Sequence, residues 1–200
     1  MINLITKDIL QIFKIKNYIE TGCLWGESMN IVESWLDECP YLENIYEIDL
    51  WSKSIEESSL KVKSDKTHLI CSNSVDWIKN NKLNEPIFFY LDAHADGNIS
   101  KEQQDISNTY APDGLLFRQE IKEILKLYKF PIISIDDWNA EYHLDQISDI
   151  FQECYVTEFP NKAGKYQSFL FPNRSRYQAY VLVEDLSLKF EQIFQPEKTI

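Results

Sequence analysis

Nine residues of this chain have the types and spacing that chemistry needs: Glu20, Gly22, Gly26, Asp49, Asn73, Asp92, His94, Asp136 and Asp137. The first three lie in NYIETGCLWGES, residues 17–28. Tyr18 and Ile19 read as the end of a buried strand, and helical periodicity starts after Gly26, through Met29, Val32, Trp35 and Leu36. Glycine tolerates positive φ and lets another group approach the backbone. The first N–H groups of a helix point unpaired into such a turn. The carboxylate of Glu20 selects what the turn can hold, repelling a pyrophosphate but attracting an ammonium or accepting hydrogen bonds from ribose hydroxyls. The stretch reads as a cradle for a nucleoside with a cationic tail.

The second group asks for a cation. Asp92 follows the apolar run PIFFYL, and Asp136 and Asp137 follow PIISI, so three carboxylates end two strands. Carboxylates converging on one crevice repel one another unless a cation lies between them, and all-oxygen ligation suits Mg²⁺ or Mn²⁺. His94, two positions past Asp92, could take a proton from an acceptor hydroxyl, ligate the metal or pack the loop. Asp49 ends the strand NIYEIDL, 23 positions after Gly26. It can accept both ribose hydroxyls, as an acidic residue does in dinucleotide folds; Glu47, on the same strand face, competes for that role. Asn73 in CSNS ends the third strand, and Ser74 either joins the site or caps the next helix.

These residues need elements to hold them. Five apolar strands alternate with helical segments, which argues for a parallel α/β sheet with right-handed crossovers. Ligands of such sheets sit beyond the carboxyl ends of the strands, where Glu20, Asp49, Asn73, Asp92, His94, Asp136 and Asp137 all fall. Ahead of the first strand, Thr6 or Asp8 would cap a helix carrying Ile9, Ile12 and Phe13. Residues 95–113 are polar and long for an internal loop, so a lid is expected there. Trp25, Tyr110 and Trp138 flank the site and could face a cationic group. A helix is expected from Glu141 to Gln152. CYVTEF, KYQSFLF and RYQAYVLVE then read as consecutive strands, the last two joined by a turn at Pro172–Ser175.

The run Glu20-Thr21-Gly22-x-x-x-Gly26-Glu27-Ser28 after a strand resembles the first motif of class I S-adenosylmethionine-dependent methyltransferases. The YLDAH and IDD phrases around Asp92 and Asp136 resemble the metal-dependent O-methyltransferases, closest to the macrocin-type, sugar-modifying branch. The resemblance covers Tyr18 to about Trp138. It implies a Rossmann-like, seven-stranded α/β sheet, mostly parallel with an antiparallel C-terminal hairpin and helices on both faces. It also implies S-adenosylmethionine as cofactor, held by Glu20, Thr21, Gly22, Gly26, Ser28, Asp49, Asn73, Ser74 and Asp92. Mg²⁺ or Mn²⁺ would lie on Asp92, Asp136 and Asp137, with His94 and Asp92 as catalytic groups. The acceptor would be a hydroxyl of a small molecule or sugar. Two alternatives stay open: a metal-dependent hydrolase built on Asp92, His94, Asp136, Asp137 and His143, and a methyltransferase-like binding module without activity.

Composition sets the outer bounds. Two hundred residues, 44% hydrophobic, suit a single domain over residues 1–200 with a full core. A net charge of −12 argues against nucleic acid and anionic membranes as partners. Neither a signal peptide nor an apolar run of membrane-spanning length is visible. The cysteines Cys23, Cys39, Cys71 and Cys154 are scattered, as expected of a reduced, cytoplasmic protein. Cys23 either fills the turn or is acidified by the helix start. Oligomeric state is open, with a homodimer as one option.

Overall fold

The computed structural model describes residues 5–23, 25–93, 115–136, 144–151, 154–160 and 166–173. Its elements, in chain order, are α1 (Ile5–Ile12), β1 (Asn17–Thr21), α2 (Glu27–Glu33), β2 (Asn44–Asp49), α3 (Ser52–Ser59), β3 (Thr67–Cys71) and α4 (Ser74–Asn80). There follow β4 (Ile87–Leu91), α5 (Leu116–Leu127), β5 (Ile132–Asp136), a 3-10 turn (Leu144–Gln146), β6 (Cys154–Pro160) and β7 (Tyr166–Pro172). The strands form one seven-stranded sheet in the order β3-β2-β1-β4-β5-β7-β6. The first five are parallel, and β7 runs antiparallel to both β5 and β6. This is the order that the methyltransferase resemblance implied.

The central strands carry apolar side chains on both faces because both faces are covered. Every residue of β1, β4 and β5 is buried. One face packs Ile19, Ile48, Phe89, Leu91 and Ile133 against Ile78 of α4 and Ile121 and Ile124 of α5. The other packs Ile45, Tyr18, Phe88 and Ile132 against Ile9 and Leu10 of α1 and Val32 of α2. Tyr18 and Phe88, register partners on β1 and β4, stack with ring centroids 5.7 Å apart.

Three local expectations change. The antiparallel hairpin joins β6 to β7 rather than β7 to a later strand, because the alternation in CYVTEF and YQSFLF matches across the pair, Val156 opposite Leu170; the run from Arg176 lies outside the described residues. The helix expected from Glu141 is, where described, one 3-10 turn followed by turn residues 147–150. Thr6 and Asp8 lie inside α1 instead of capping it. The buried Thr6 hydroxyl instead accepts a bond from Gln167 Nε2 at 3.3 Å.

Candidate functional site

All five parallel strands end at one edge, and their last residues assemble the site. On β1, side chains alternate between faces, so Tyr18 and Glu20 share one. The Tyr18 hydroxyl donates to Glu20 Oε2 at 3.0 Å, and Ser28 Oγ, from the first turn of α2, donates to Glu20 Oε1. Glu20 has no exposed surface. Its register partners are Glu47 on β2 and Tyr90 on β4, both equally sealed. Burial raises the Glu20 pKa, and the bonds from Ser28, Tyr18 and Glu47 oppose that rise. Burial, then the Glu20 charge, drives the Glu47 pKa well above the usual carboxylate range. Of the two, Glu47 is pushed further toward its neutral form, and neither of its oxygens has a hydrogen-bond partner among the described residues.

The two glycines of the turn have the positive φ expected, +79° at Gly22 and +67° at Gly26. What comes close to Gly22 is protein. A Cβ there would lie 2.6 Å from the Asp92 carbonyl oxygen and 2.6 Å from Ala93 Cα, so the chain leaving β4 occupies that space. A Cβ on Gly26 would meet Ser58 Oγ at 2.9 Å and Met29 Cε at 3.2 Å. The turn is fixed further by Gly22 N–H donating to the Ile48 carbonyl at 2.8 Å and Asp92 N–H donating to the Thr21 carbonyl at 3.0 Å.

Position separates Asp49 from Glu47. Asp49 ends β2 at the edge, 7% exposed, and its Oδ1 accepts from the Trp51 N–H at 2.8 Å. Glu47 lies a full pleat deeper and has no exposed surface. The Cys23 thiol points at Asp49 Oδ2, 3.8 Å away. Burial, reinforced by Glu47, Asp49 and Glu20, raises the Cys23 pKa, so the thiol is not acidified by the helix start. Asn73 is the N-cap of α4, its Oδ1 accepting from Asp76 N–H at 3.0 Å. Ser74 therefore does not cap. Its hydroxyl and that of Thr21 bear on Glu120 of α5, a fully buried carboxyl that the sequence reading did not single out, where both oppose the effect of burial. Glu120 sits in the amphipathic pattern of α5 at a position with no motif to mark it. Burial raises its pKa to about 7.

Asp92 and Asp136 close the other end of the edge. Burial, then the charges of Asp92, Asp136 and Glu20, raises the Tyr90 pKa. Asp136 is 5% exposed and Asp92 half-buried. Among the described residues no three His, Cys, Asp or Glu side chains are arranged to hold a metal ion. Asp137, His94, His143, Tyr110, Trp138 and the expected lid, residues 95–113, lie outside the described residues. Trp25 lies at the site's rim, 38% exposed, and Lys61 Nζ donates to its carbonyl at 2.5 Å. His68 stands away from the site, stacked on Tyr46 at 4.9 Å. A groove of about 350 Å³ lined by Val75, Lys122, Lys126 and Ile150 runs between α4 and α5, away from these carboxyls. No helix among the described residues is long and apolar enough to cross a membrane.

No protein-family model matches the chain, and no curated protein matches it in sequence. Solved structures do match. The chain is similar to the methyltransferase PaMTH1 of Podospora anserina bound to S-adenosylhomocysteine, with TM-score 0.57, 15% identity, and 88% of this chain and 80% of that one covered. It is similar to a Staphylococcus aureus protein assigned as a caffeoyl-CoA O-methyltransferase, with TM-score 0.53, 10% identity, and 86% and 85% covered. It is also similar to Streptococcus pneumoniae Sp1610, assigned as a tRNA (m1A22) methyltransferase, with TM-score 0.50, 9% identity, and 95% and 81% covered. This last likeness overturns the exclusion of nucleic acid, because the same architecture serves a protein assigned to tRNA. The exclusion rested on the summed charge of −12, and a sum does not fix the charge of any one face. What the likenesses establish is architecture: the chain has the class I S-adenosylmethionine-dependent methyltransferase fold.

Proposed function

We propose that this chain is an S-adenosylmethionine-dependent methyltransferase that transfers the methyl group to a hydroxyl of a small molecule or sugar with help from a divalent cation. The observation that carries the reading is the edge itself. Strand order β3-β2-β1-β4-β5 sets Asn73, Asp49, Gly22, Asp92 and Asp136 side by side beyond consecutive strands.

Bound S-adenosylmethionine supplies an electrophilic methyl on a positively charged sulfur. Asp49, standing at the edge, accepts hydrogen bonds from ribose hydroxyls; Asn73 contributes on the adenine side through the part of its amide that the cap leaves unused. Glu20 adds negative charge close behind the turn, favouring an ammonium there. Asp92 and Asp136, at the ends of the neighbouring parallel strands β4 and β5, would offer two carboxylates to a hard cation, with Asp137 as the third. A Mg²⁺-type ion there would lower the pKa of the acceptor hydroxyl. His94 would take the proton of the acceptor hydroxyl, leaving its oxygen free to receive the methyl group that the donor would supply. Proximity supplies the rest of the rate.

The test is calorimetry of the chain with S-adenosylhomocysteine, with and without Mg²⁺, followed by methyl transfer to a panel of sugars, phenols and tRNA. Binding of the homocysteine product with no transfer to any hydroxyl acceptor, or transfer only to a tRNA base, would remove the O-methyl part. Absence of binding would remove the whole reading.

A further inference from the structure

Glu120 is the one fully buried carboxyl of α5, and the role assigned above to the sheet edge makes no use of it. Its neighbours are two hydroxyls from two other elements, Thr21 at the end of β1 and Ser74 at the first position of α4. Thr21 has no exposed surface and Ser74 is 6% exposed. The hydroxyls lie near enough to oppose the rise that burial imposes on the Glu120 pKa. Yet among the described residues neither hydroxyl and neither Glu120 oxygen completes a hydrogen bond. Buried polar oxygens are seldom left so, and these four come from three elements that pack into one core through Ile19, Ile78 and Ile121. Among the described residues no charged group is among the causes that shift Glu120, so hydroxyls are its natural partners.

The two hydroxyls belong to the two turns that flank the proposed donor. Thr21 lies between Glu20 and Gly22, and Ser74 follows Asn73. We propose that Glu120 is a positioning residue of the donor site, its carboxyl gathering the Thr21 and Ser74 hydroxyls and so setting the spacing between the β1 turn and the start of α4. This rests on the donor reading above. Thr21 and Ser74 then serve the donor through Glu120 from beneath the edge instead of touching it.

The test measures S-adenosylhomocysteine affinity of the full chain by calorimetry. Glu120→Ala should weaken binding about tenfold and Glu120→Gln about threefold, since the amide still accepts one hydroxyl. Glu120→Gln should unfold at no lower temperature than wild type, which separates positioning from loss of structure. Thr21→Val and Ser74→Ala should each weaken binding in the wild-type background and add nothing to Glu120→Ala. If Glu120→Ala does not fold, the same pair is placed on Glu120→Gln, where each effect should shrink. Undiminished effects of the two hydroxyl variants in either Glu120 background would show that they act on the ligand directly and would overturn the proposal. So would unchanged affinity in both Glu120 variants. Failure of the wild-type chain to bind removes the donor reading first, an outcome distinct from binding that ignores Glu120.

Discussion

Glu20 and Glu47 are register partners on neighbouring parallel strands, and neither carboxyl has any surface in contact with solvent. Two like charges cannot both be held there, so one proton stays with the pair. Glu20 has hydrogen-bond donors in Tyr18 and Ser28, while Glu47 has Glu20 itself. That asymmetry favours charge on Glu20 over charge on Glu47. Seen from the edge, the strand that bears Asp49 also supplies the proton that keeps the Glu20 charge tolerable.

Stability should therefore fall as the pH rises from 5 to 8. Glu47 and Glu120 both have pKa values raised by burial above their ordinary 4.5. Between the unfolded and folded values the folded chain holds a proton that the unfolded chain has released. The stability these groups contribute is thus full below the unfolded pKa and lost as the pH climbs through the folded value, about 7 for Glu120. Glu120→Gln should recover up to about 3 kcal/mol at pH 8 and almost none at pH 4. Glu47→Gln should act in the same direction. Urea unfolding across this pH range checks both, and a wild-type stability that rises from pH 5 to 8 would contradict the assignment.

Gly22 and Gly26 share a positive φ but not a cost. Gly22→Ala drives a methyl into the backbone of Asp92 and Ala93, which cannot rotate away. Gly26→Ala meets the ends of Ser58 and Met29, which can. The backbone strain alone is about 1–2 kcal/mol at either site. Gly22→Ala should exceed it to the point of unfolding a marginal chain, and Gly26→Ala should stay near it. Equal losses in denaturant midpoints would mean that the β4 exit is softer than described.

Ser28→Ala removes a donor from Glu20 Oε1 and leaves that oxygen buried. Since this bond opposes the effect of burial, the Glu20 pKa should rise further above about 7 and more of its charge be lost at neutral pH. S-adenosylhomocysteine affinity at pH 7 should fall by about fivefold and recover in part at pH 8.5. Titration calorimetry at the two pH values reads this directly, and a loss independent of pH would point to a packing effect.

Asp136→Asn keeps the shape of the side chain and removes the charge at the end of β5. Mn²⁺ affinity, followed by its paramagnetic resonance signal, should drop at least about tenfold, while S-adenosylhomocysteine affinity stays within about twofold. A matching loss of both would place Asp136 in the donor site.

The sheet was legible because its evidence is local and repeated. Each of PIFFYL, PIISI and NIYEI is a short apolar run ended by an acidic residue, and each became a strand ending at the same edge. The hairpin partner was not, since three successive strand-like runs leave the pairing to be decided by register, and Val156 against Leu170 is a tertiary fact. Side-chain direction was harder still. Nothing local tells that Asn73 rather than Ser74 caps α4, because both residue types cap well. Glu120 was invisible for the same reason: on a helix otherwise rich in Lys and Glu, one more Glu looks solvated until α5 is laid against α4.

The space that Gly22 leaves vacant for Ala93 has a consequence for anyone reshaping this molecule. The turn after β1 and the exit from β4 are a single mechanical piece, clamped by the Asp92 N–H on one side and by backbone contact on the other. A substitution that widens the cradle for a bulkier donor would have to displace Asp92 by the same amount. On the donor site proposed above, donor choice and the placement of the Asp92 carboxylate are inherited together, and libraries that vary one while holding the other fixed would sample mostly broken geometries.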